Sequence, residues 1–439
     1  MAELSKDPLH LELEDLVAAH FMSRGCYVET SLKERAPDEL LELDIVWTDY
    51  REPLEERNPI EVKSLSWGYP DVFKFFGWTR YLGLKPGHFV HKGETGKSPV
   101  SLEHVAKRTG IRFVHVPQLT EGVEKHLDEL GLPQPAWKGL TELWRFSFAA
   151  RRRLVKSLNK AVELGVCPES AKAAKNYRHL LNDVVFFIPD IKERVNELFQ
   201  AHVSHPQLAL SAAWECETKA VNFFDPPSSP TFQRALYGGL HYPVQACLYI
   251  SHRARLYILK ALVDYWLAVQ RRQIVEVPPP KPPPGTFIIP KPDVLTDAMR
   301  AGLAEMSAAK SFRLFPVFWQ TFLFSWGGFL LKDKTDQEYA DLEKETGVPV
   351  DEIPIALSAF DKLFPTQGGW LKDVQGDSRT CLKLMPAAMR GIGAYRRTLQ
   401  GYVERYEDLR YTDQTTARLQ SDHNSTATLL DCAEKDLVK

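Results

Sequence analysis

The spacing of apolar residues changes several times within the first 118 positions, which predicts helices and strands in alternation. Residues 9–24 carry apolar side chains at helical spacing, and Gly25 follows as a stop signal, so a helix is predicted there. Short apolar runs predict the remaining elements, which are strands at 26–30, 41–48 and 59–64, a helix at 71–82, a strand at 88–92, a helix from 101 and a strand at 111–116. The predicted order is helix, three strands, helix, strand, helix, strand.

Helical patterns replace the strand signals from Thr120 onward, with predicted helices at 137–165, 168–187, 189–203 and 229–272. A proline-rich stretch then cannot continue a helix, and it acts either as a spacer or as a docking motif. The predicted organisation is an α/β domain at 1–118, a helical domain at 119–276, a proline-rich linker at 277–292, a helical domain at 293–410 and a polar tail at 411–439.

The segment 314–331 contains no charged residue and is long enough to raise the question of a membrane span. Pro316, Gln320 and the Gly327-Gly328 pair interrupt it, and basic residues flank both sides, which favours a helix buried in the protein. Membrane association stays the alternative for this segment. The N-terminus lacks a basic start followed by an apolar run, so we expect a cytoplasmic protein with no membrane partner.

The composition describes a soluble globular protein and leaves room for a local nucleic-acid surface. With 439 residues the chain is too long for one ordinary core, and 44% hydrophobic and 26% charged residues give no bias towards disorder. The formal net charge of -2 argues against a uniformly basic coat on nucleic acid. The six cysteines form no Cys-x-x-Cys pair, which favours free thiols in a reducing compartment over a zinc site.

Two neighbouring predicted strands carry candidate catalytic residues. Side chains alternate along a strand, so Glu61 and Lys63 share one face while Ile60 and Val62 point into a core. Asp44 lies in the preceding strand-like run, and the segment between the two runs is short enough for them to be neighbours. Two carboxylates can hold Mg2+, and an adjacent lysine can orient a metal-bound water. These groups together can hydrolyse a phosphodiester.

This order of elements, with an acid in the second strand and Glu-x-Lys in the third, resembles the PD-(D/E)xK nuclease superfamily, which includes restriction endonucleases, Holliday-junction resolvases and Mrr-like enzymes. The resemblance covers about the first quarter of the chain. It implies a restriction-endonuclease-like α/β domain, here followed by a large mainly α-helical region. It also implies that Asp44 and Glu61 bind the metal with the backbone carbonyl of Val62, that Lys63 is the catalytic lysine, and that Glu14 of the first helix faces the site.

The chain departs from the family pattern in two places. No proline precedes Asp44, whereas the literal Pro37-Asp38 pair lies in a polar stretch with no strand period. The helix after Glu-x-Lys lacks the glutamine that related nucleases often place one turn before a tyrosine. Lys74 and Arg80 on that helix are the candidates for phosphate contacts instead.

A basic cluster mixed with aromatic residues occupies the predicted helix at 137–165. The residues of this cluster that we expect to contact nucleic acid are Arg151, Arg152, Arg153 and Lys156. Such a helix face binds backbone phosphates in some proteins and is simply solvated in others, and the sequence leaves both interpretations open.

The sequence therefore predicts a Mg2+- or Mn2+-dependent endonuclease, a hydrolase that acts on nucleic acid with DNA favoured. The helical region would recognise substrate, form a homodimer or bind a protein partner, and restriction or anti-phage defence is the predicted role. The competing interpretation is a scaffold protein that keeps a nuclease fold without its activity. A minor alternative places a helical ribonuclease site of the HEPN type at Arg234 and His241.

Overall fold

The computed structural model describes residues 8–35, 38–92, 97–116, 126–127, 132–163, 168–204, 241–271, 273, 295–364, 371–373, 379–382 and 385–401. The predicted linker at 277–292, the predicted tail and Arg234 lie outside the described residues. The first part of the chain forms α1 (Leu11–Ser23), β1 (Tyr27–Arg35), β2 (Glu39–Thr48), β3 (Arg57–Lys63), α2 (Tyr69–Tyr81), β4 (His88–Lys92), α3 (Pro99–Thr109) and β5 (Arg112–Val116).

These strands form one mixed sheet in the order β1-β2-β3-β4-β5. The first three strands are antiparallel, as the short connections between them allow, whereas β3, β4 and β5 run parallel because α2 and α3 provide the crossovers. The sheet with its helices confirms the predicted α/β organisation of this part of the chain. Its order of elements is the predicted one.

The two faces of the sheet pack against different helices. Ile60 and Val62 of β3 are buried in the hydrophobic cluster that contains α1, which confirms the predicted direction of their side chains. Phe89 of β4 lies in a second cluster with Phe75 of α2. The strand β3 is therefore covered on both sides, and only its end can present polar groups to a substrate.

The second part of the chain is mainly helical, as predicted. Its elements are α4 (Leu140–Glu163), α5 (Pro168–His179), a π-helical turn (Leu180–Val184), a 3-10 turn (Val185–Phe187), α6 (Ile191–Ser204), α7 (His241–Gln270), α8 (Asp297–Met306), a 3-10 turn (Phe312–Leu314), α9 (Phe315–Phe324), β6 (Phe329–Leu331), a 3-10 turn (Lys332–Lys334), α10 (Thr335–Thr346), α11 (Ile353–Leu363), β7 (Leu371–Asp373), β8 (Arg379–Leu382) and α12 (Ala387–Leu399).

The helical body and the sheet are joined by buried polar contacts as well as by a shared core. Gln320 of α9 accepts from the N–H of Val28 at 3.1 Å and donates to its carbonyl at 2.9 Å. Since β1 is an edge strand, this amide satisfies backbone groups that no neighbouring strand can reach. Tyr50 donates its hydroxyl hydrogen to Asp264 of α7 at 2.7 Å.

The uncharged segment 314–331 lies in the interior. Every residue of α9 is buried, so the predicted buried helix is confirmed for residues 315–324. Within the described residues, no helix combines the length and apolar character that a membrane crossing needs. The segment then continues as β6, which pairs with β8 in a small sheet of order β6-β8-β7. The sequence predicted helices instead of strands after residue 120, and this prediction was wrong for the three short strands of this sheet.

Two fully buried ion pairs connect α10 and α12. Arg397 lies 2.5 Å from Glu338, and Arg396 donates to Glu345 at 2.8 Å, with all four side chains at 2% exposure or less. The guanidinium of Arg396 also lies 3.7 Å from the ring centre of Trp326. Because a buried charge without its partner is costly, these pairs fix how the two helices meet.

We expect Glu338→Gln to lower the free energy of unfolding by about 3–5 kcal/mol, because the substitution leaves Arg397 charged and unpaired in the interior. Urea unfolding at neutral pH measures this. The matched control is Asp341→Asn on the same helix, whose partner Lys344 is exposed and 3.6 Å away. That control should change stability by no more than about 0.5 kcal/mol. Equal losses in the two variants would contradict the structural role of the buried pair.

Candidate active site

Asp44 lies where β2 and β3 stop pairing. The ladder runs from Thr48 opposite Arg57 to Ile45 opposite Ile60. Beyond this last pair, the backbone N–H of Val62 donates to the carboxylate of Asp44 at 2.8 Å. Extending the register by one residue places Asp44 opposite Glu61, so the two carboxyl side chains start from adjacent positions on neighbouring strands.

Glu61 and Lys63 leave β3 on the same face and contact each other. The Lys63 ammonium lies 2.5 Å from Oε1 of Glu61, and the lysine side chain is 31% exposed. Glu61 itself is 5% exposed, and its Oε2 atom is buried without a hydrogen-bond partner. A buried acceptor in this state is destabilising unless a cation or a proton satisfies it.

The third carboxyl group belongs to Glu14 of α1. Burial raises the pKa of Glu14 to about 8, and the charges of Asp44, Glu42 and Glu61 raise it further. Only the charge of Arg152 acts in the opposite direction among the named causes. The charges of Asp44 and Glu61 therefore act on Glu14, and its role in the site stays a prediction.

The two strand acids have raised pKa values as well. Burial raises the pKa of Asp44 to about 6, although the N–H of Val62 opposes the shift. Burial and the charge of Asp44 raise the pKa of Glu61 to about 7, although Lys63 opposes it. Burial alone would lower the pKa of Lys63, but Glu61 and Asp44 keep it above its ordinary value. Three carboxyl groups thus compete for few positive charges.

A divalent metal fits this arrangement through two carboxylates. Mg2+ keeps several waters and is commonly held by one or two carboxylates, and Asp44 with the unpartnered oxygen of Glu61 can supply these. Within the part of the chain that the structure describes, no group of three or more His, Cys, Asp or Glu side chains is arranged to hold a metal ion. If Glu61 bound a metal, its ion pair with Lys63 would have to weaken. The carbonyl of Val62 as a third ligand stays a prediction.

A strained residue borders Asp44 on its other side. Ser31 falls between Thr30, which pairs with Ile45, and Leu32, which pairs with Leu43, so its place in the register is opposite Asp44. Its φ of 54° is in the left-handed region that a residue other than glycine rarely adopts. Asn182 of the π-helical turn donates to the Ser31 carbonyl at 3.1 Å. No sequence pattern indicated this feature, because serine is an ordinary strand residue.

The two predicted phosphate contacts on α2 lie on different faces of the helix. Lys74 lies 4.5 Å from the ring centre of Trp78, and its charge lowers the pKa of Glu61, so it is near the acids. Arg80 lies 5.2 Å from the ring centre of Phe76. Six residues span about 1.7 helical turns, which directs Arg80 away from the face that carries Lys74.

The basic cluster on α4 is not a freely solvated face. Arg151 packs its guanidinium 3.9 Å from the ring centre of Phe148, and Arg152 forms an ion pair with Asp15. Lys156 is exposed, and the side chain of Arg153 lies outside the described residues. The solvated-face alternative is therefore wrong for Arg151 and Arg152, whereas their contact with nucleic acid stays a prediction.

The structure brings Arg178 and Arg253 close to Arg151, and the sequence analysis did not single them out. Arg253 lowers the pKa of both other arginines through its charge. One available signal was the row of Tyr249, Arg253 and Tyr257 at four-residue spacing, which places them on one face of α7. Such a pattern could not predict that Arg178 of α5 lies close to Arg253 of α7.

Comparison of the chain with protein-family models, with curated proteins and with solved structures found no match in any of the three.

We expect the stability advantage of Glu14→Gln over the wild type to grow from about pH 5 to pH 8. An unfolded glutamate loses its proton near its ordinary pKa of 4.5, whereas folded Glu14 holds it up to about pH 8, so the wild type loses stability as pH rises between these values. Glutamine does not titrate. The difference between the two pH values should be about 3–4 kcal/mol in urea unfolding. The control is Glu103→Gln, at an exposed position on α3. It should change the free energy of unfolding by the same small amount at both pH values. A Glu14→Gln effect independent of pH would contradict the electrostatic assignment.

Proposed function

We propose that the protein is a metal-dependent nuclease of the PD-(D/E)xK type that hydrolyses phosphodiester bonds of nucleic acid, with DNA favoured. The observation that carries the proposal is the convergence of Asp44, Glu61 and Lys63 at the point where β2 and β3 separate. The element order of the mixed sheet supports it, because it is the order that the family resemblance implies. The unpartnered oxygen of Glu61 supports the involvement of a cation.

The residues of the chain divide the chemical work in this proposal. Asp44 and Glu61 would hold Mg2+ or Mn2+, which when bound stabilises charge that develops on phosphate oxygens and acidifies water. The N–H of Val62 fixes the orientation of Asp44 before any ligand arrives. Lys63 keeps a positive charge beside Glu61, where it positions the attacking water and the scissile phosphate. Glu14 retains a proton at neutral pH because its pKa is about 8, so it is placed to exchange a proton at the rim of the site.

The wider role is part of the same proposal. A large helical body that shares a core with the sheet can couple substrate recognition, a homodimer contact or a protein partner to the candidate site. Restriction or anti-phage defence in the cytoplasm is the role that this combination favours, since a cell must restrain a nuclease until it is needed.

A scaffold protein with an inactive nuclease fold is the competing function. The close contact between Lys63 and Glu61 favours it, because a structural ion pair has the same geometry. The absence of a three-donor metal group within the described residues favours it as well.

Cleavage assays with supercoiled plasmid, linear duplex, single-stranded DNA and RNA, each with Mg2+ or Mn2+, decide between these functions. We expect metal-dependent cutting by the wild type that falls by at least about 100-fold in Asp44→Asn and Lys63→Met. Asparagine can still accept the hydrogen bond from Val62, so Asp44→Asn should fold. The control is Lys107→Met, which removes an equivalent charge from an exposed ion pair on α3. Absence of cutting on all four substrates, or equal cutting by all variants, would support the scaffold.

Metal binding can be tested without any substrate. We expect Mn2+ to raise the thermal midpoint of the wild type, because an ion that binds the folded state stabilises it by mass action. The shift should disappear in Asp44→Asn and remain in Lys107→Met. A shift of the same size in Asp44→Asn would show that the ion binds elsewhere.

A further inference from the structure

A cavity of about 310 Å³ lies between the sheet and the helical body. Residues of α1, β1, α4, α5, the π-helical turn, α7 and α9 line it. Its lining is rich in arginine and aromatic side chains, and the residues used below are Arg151, Arg178, Arg253, Tyr249, Tyr257 and Glu14. This volume is at the lower end of the range found for small-molecule sites in proteins.

The cavity contains more positive charge than its own carboxylates neutralise. Arg152 is paired with Asp15, and Glu29 lies 4.0 Å from Lys260. In contrast, Arg151, Arg178 and Arg253 form no ion pair with a carboxylate within 4.0 Å among the residues that the structure describes. Guanidinium groups stay charged at neutral pH, so they repel one another across the cavity. Burial and the charge of Arg253 lower the pKa of Arg178, and the charge of Asp183 opposes this shift only in part. An anionic ligand would compensate the charge that remains.

One donor atom of Arg151 in the cavity is left without a partner in the described part of the chain, although the same arginine donates through Nε to the carbonyl of Ser147 at 3.4 Å. The Nη2 atom of Arg151 is buried and has no hydrogen-bond partner, while its guanidinium lies against the rings of Phe148 and Phe324 at 3.9 and 5.3 Å. Arg253 donates one hydrogen bond to the Tyr257 hydroxyl at 3.1 Å, which fixes its position. Arginine forks of this kind match the oxygens of a phosphate group in charge and geometry.

The size and walls of the cavity restrict the ligand further. A bare inorganic anion would fill only part of the volume, whereas a duplex is too wide for a recess of about 310 Å³. Tyr249, Tyr257 and Phe324 supply aromatic surface beside the arginines, and such surface stacks on nucleobases. One nucleotide, with its phosphate on the arginines and its base against the rings, satisfies both requirements.

The cavity and the candidate active site share one residue, Glu14. Glu14 lines the cavity, and its pKa responds to the charges of Asp44 and Glu61. Ser31 also lines the cavity, and its place in the strand register is opposite Asp44. A ligand in the cavity would therefore lie next to the strained residue of β1, opposite Asp44 in the strand register.

We propose that this cavity binds one nucleotide, with Arg151, Arg178 and Arg253 holding its phosphate and the aromatic rings of α7 and α9 contacting its base. The nucleotide has two sources, a free nucleoside monophosphate or the 5′-phosphorylated end of a strand. The site goes beyond phosphodiester cleavage, because binding requires none of the metal-holding groups.

Binding is measured by calorimetry on the full chain in EDTA, with dAMP, inorganic phosphate and a short single-stranded oligonucleotide with or without a 5′-phosphate. We expect dAMP or the phosphorylated oligonucleotide to bind, and Arg178→Met and Arg253→Met each to weaken binding by about tenfold or more. Binding of dAMP identifies a free nucleotide, and binding of the phosphorylated oligonucleotide alone identifies a strand end. The matched control is Arg108→Met, at an exposed position on α3, which should bind as the wild type does.

A second measurement separates a ligand site from a structural role. Arg178→Met removes a repelling charge and no ion pair within the described residues, so the ligand-free variant should keep or gain thermal stability while binding is lost. Asp44→Asn should retain binding, whether or not the protein proves to be a nuclease. Unchanged affinity in both arginine variants, equal affinity for dAMP and inorganic phosphate, or no binding of any probe would overturn the proposal.

Discussion

The burial of carboxyl groups beside one another is the constraint on which the candidate site depends. Glu14, Asp44 and Glu61 are poorly hydrated, and the charge of Asp44 raises the pKa of the other two. The main compensating group is the N–H of Val62 for Asp44, Lys63 for Glu61 and Arg152 for Glu14. The compensation is partial, since all three pKa values remain raised. A cation that entered such a site would be stabilised by these carboxyl groups, so the proposed metal binding and the raised pKa values have the same physical origin.

The edge strand β1 links this site to the rest of the molecule. Its residues pair with β2, line the arginine-rich cavity and receive hydrogen bonds from the helical body. At Ser31 the strand adopts a left-handed conformation, and Asn182 of the π-helical turn holds its carbonyl there. Backbone strain next to a candidate catalytic acid, supported from a different part of the chain, is a common feature of functional sites.

The sequence predicted the features that depend on local patterns. Alternation along one strand was enough to place Glu61 and Lys63 on a common face and Ile60 and Val62 in the core. It could not predict features that arise when distant segments pack together. Arg178 and Arg253 lie far apart in sequence and meet only because α5 and α7 pack around one cavity. The strands β6, β7 and β8 have three or four residues each, too few to show a period. Arg396 and Arg397 look like surface charges until their partners on α10 are known.

The amide of Gln320 has a consequence for how the sheet can be extended. By bonding both backbone groups of Val28, it occupies the hydrogen-bonding positions through which another chain could add a strand to β1. Self-association through a continuous intermolecular sheet at this point is thereby blocked while α9 is in place. A fragment ending near residue 118 would lack the glutamine and present an uncovered strand together with the apolar surface of α1. The helical region thus protects the exposed edge of the sheet from pairing with another chain.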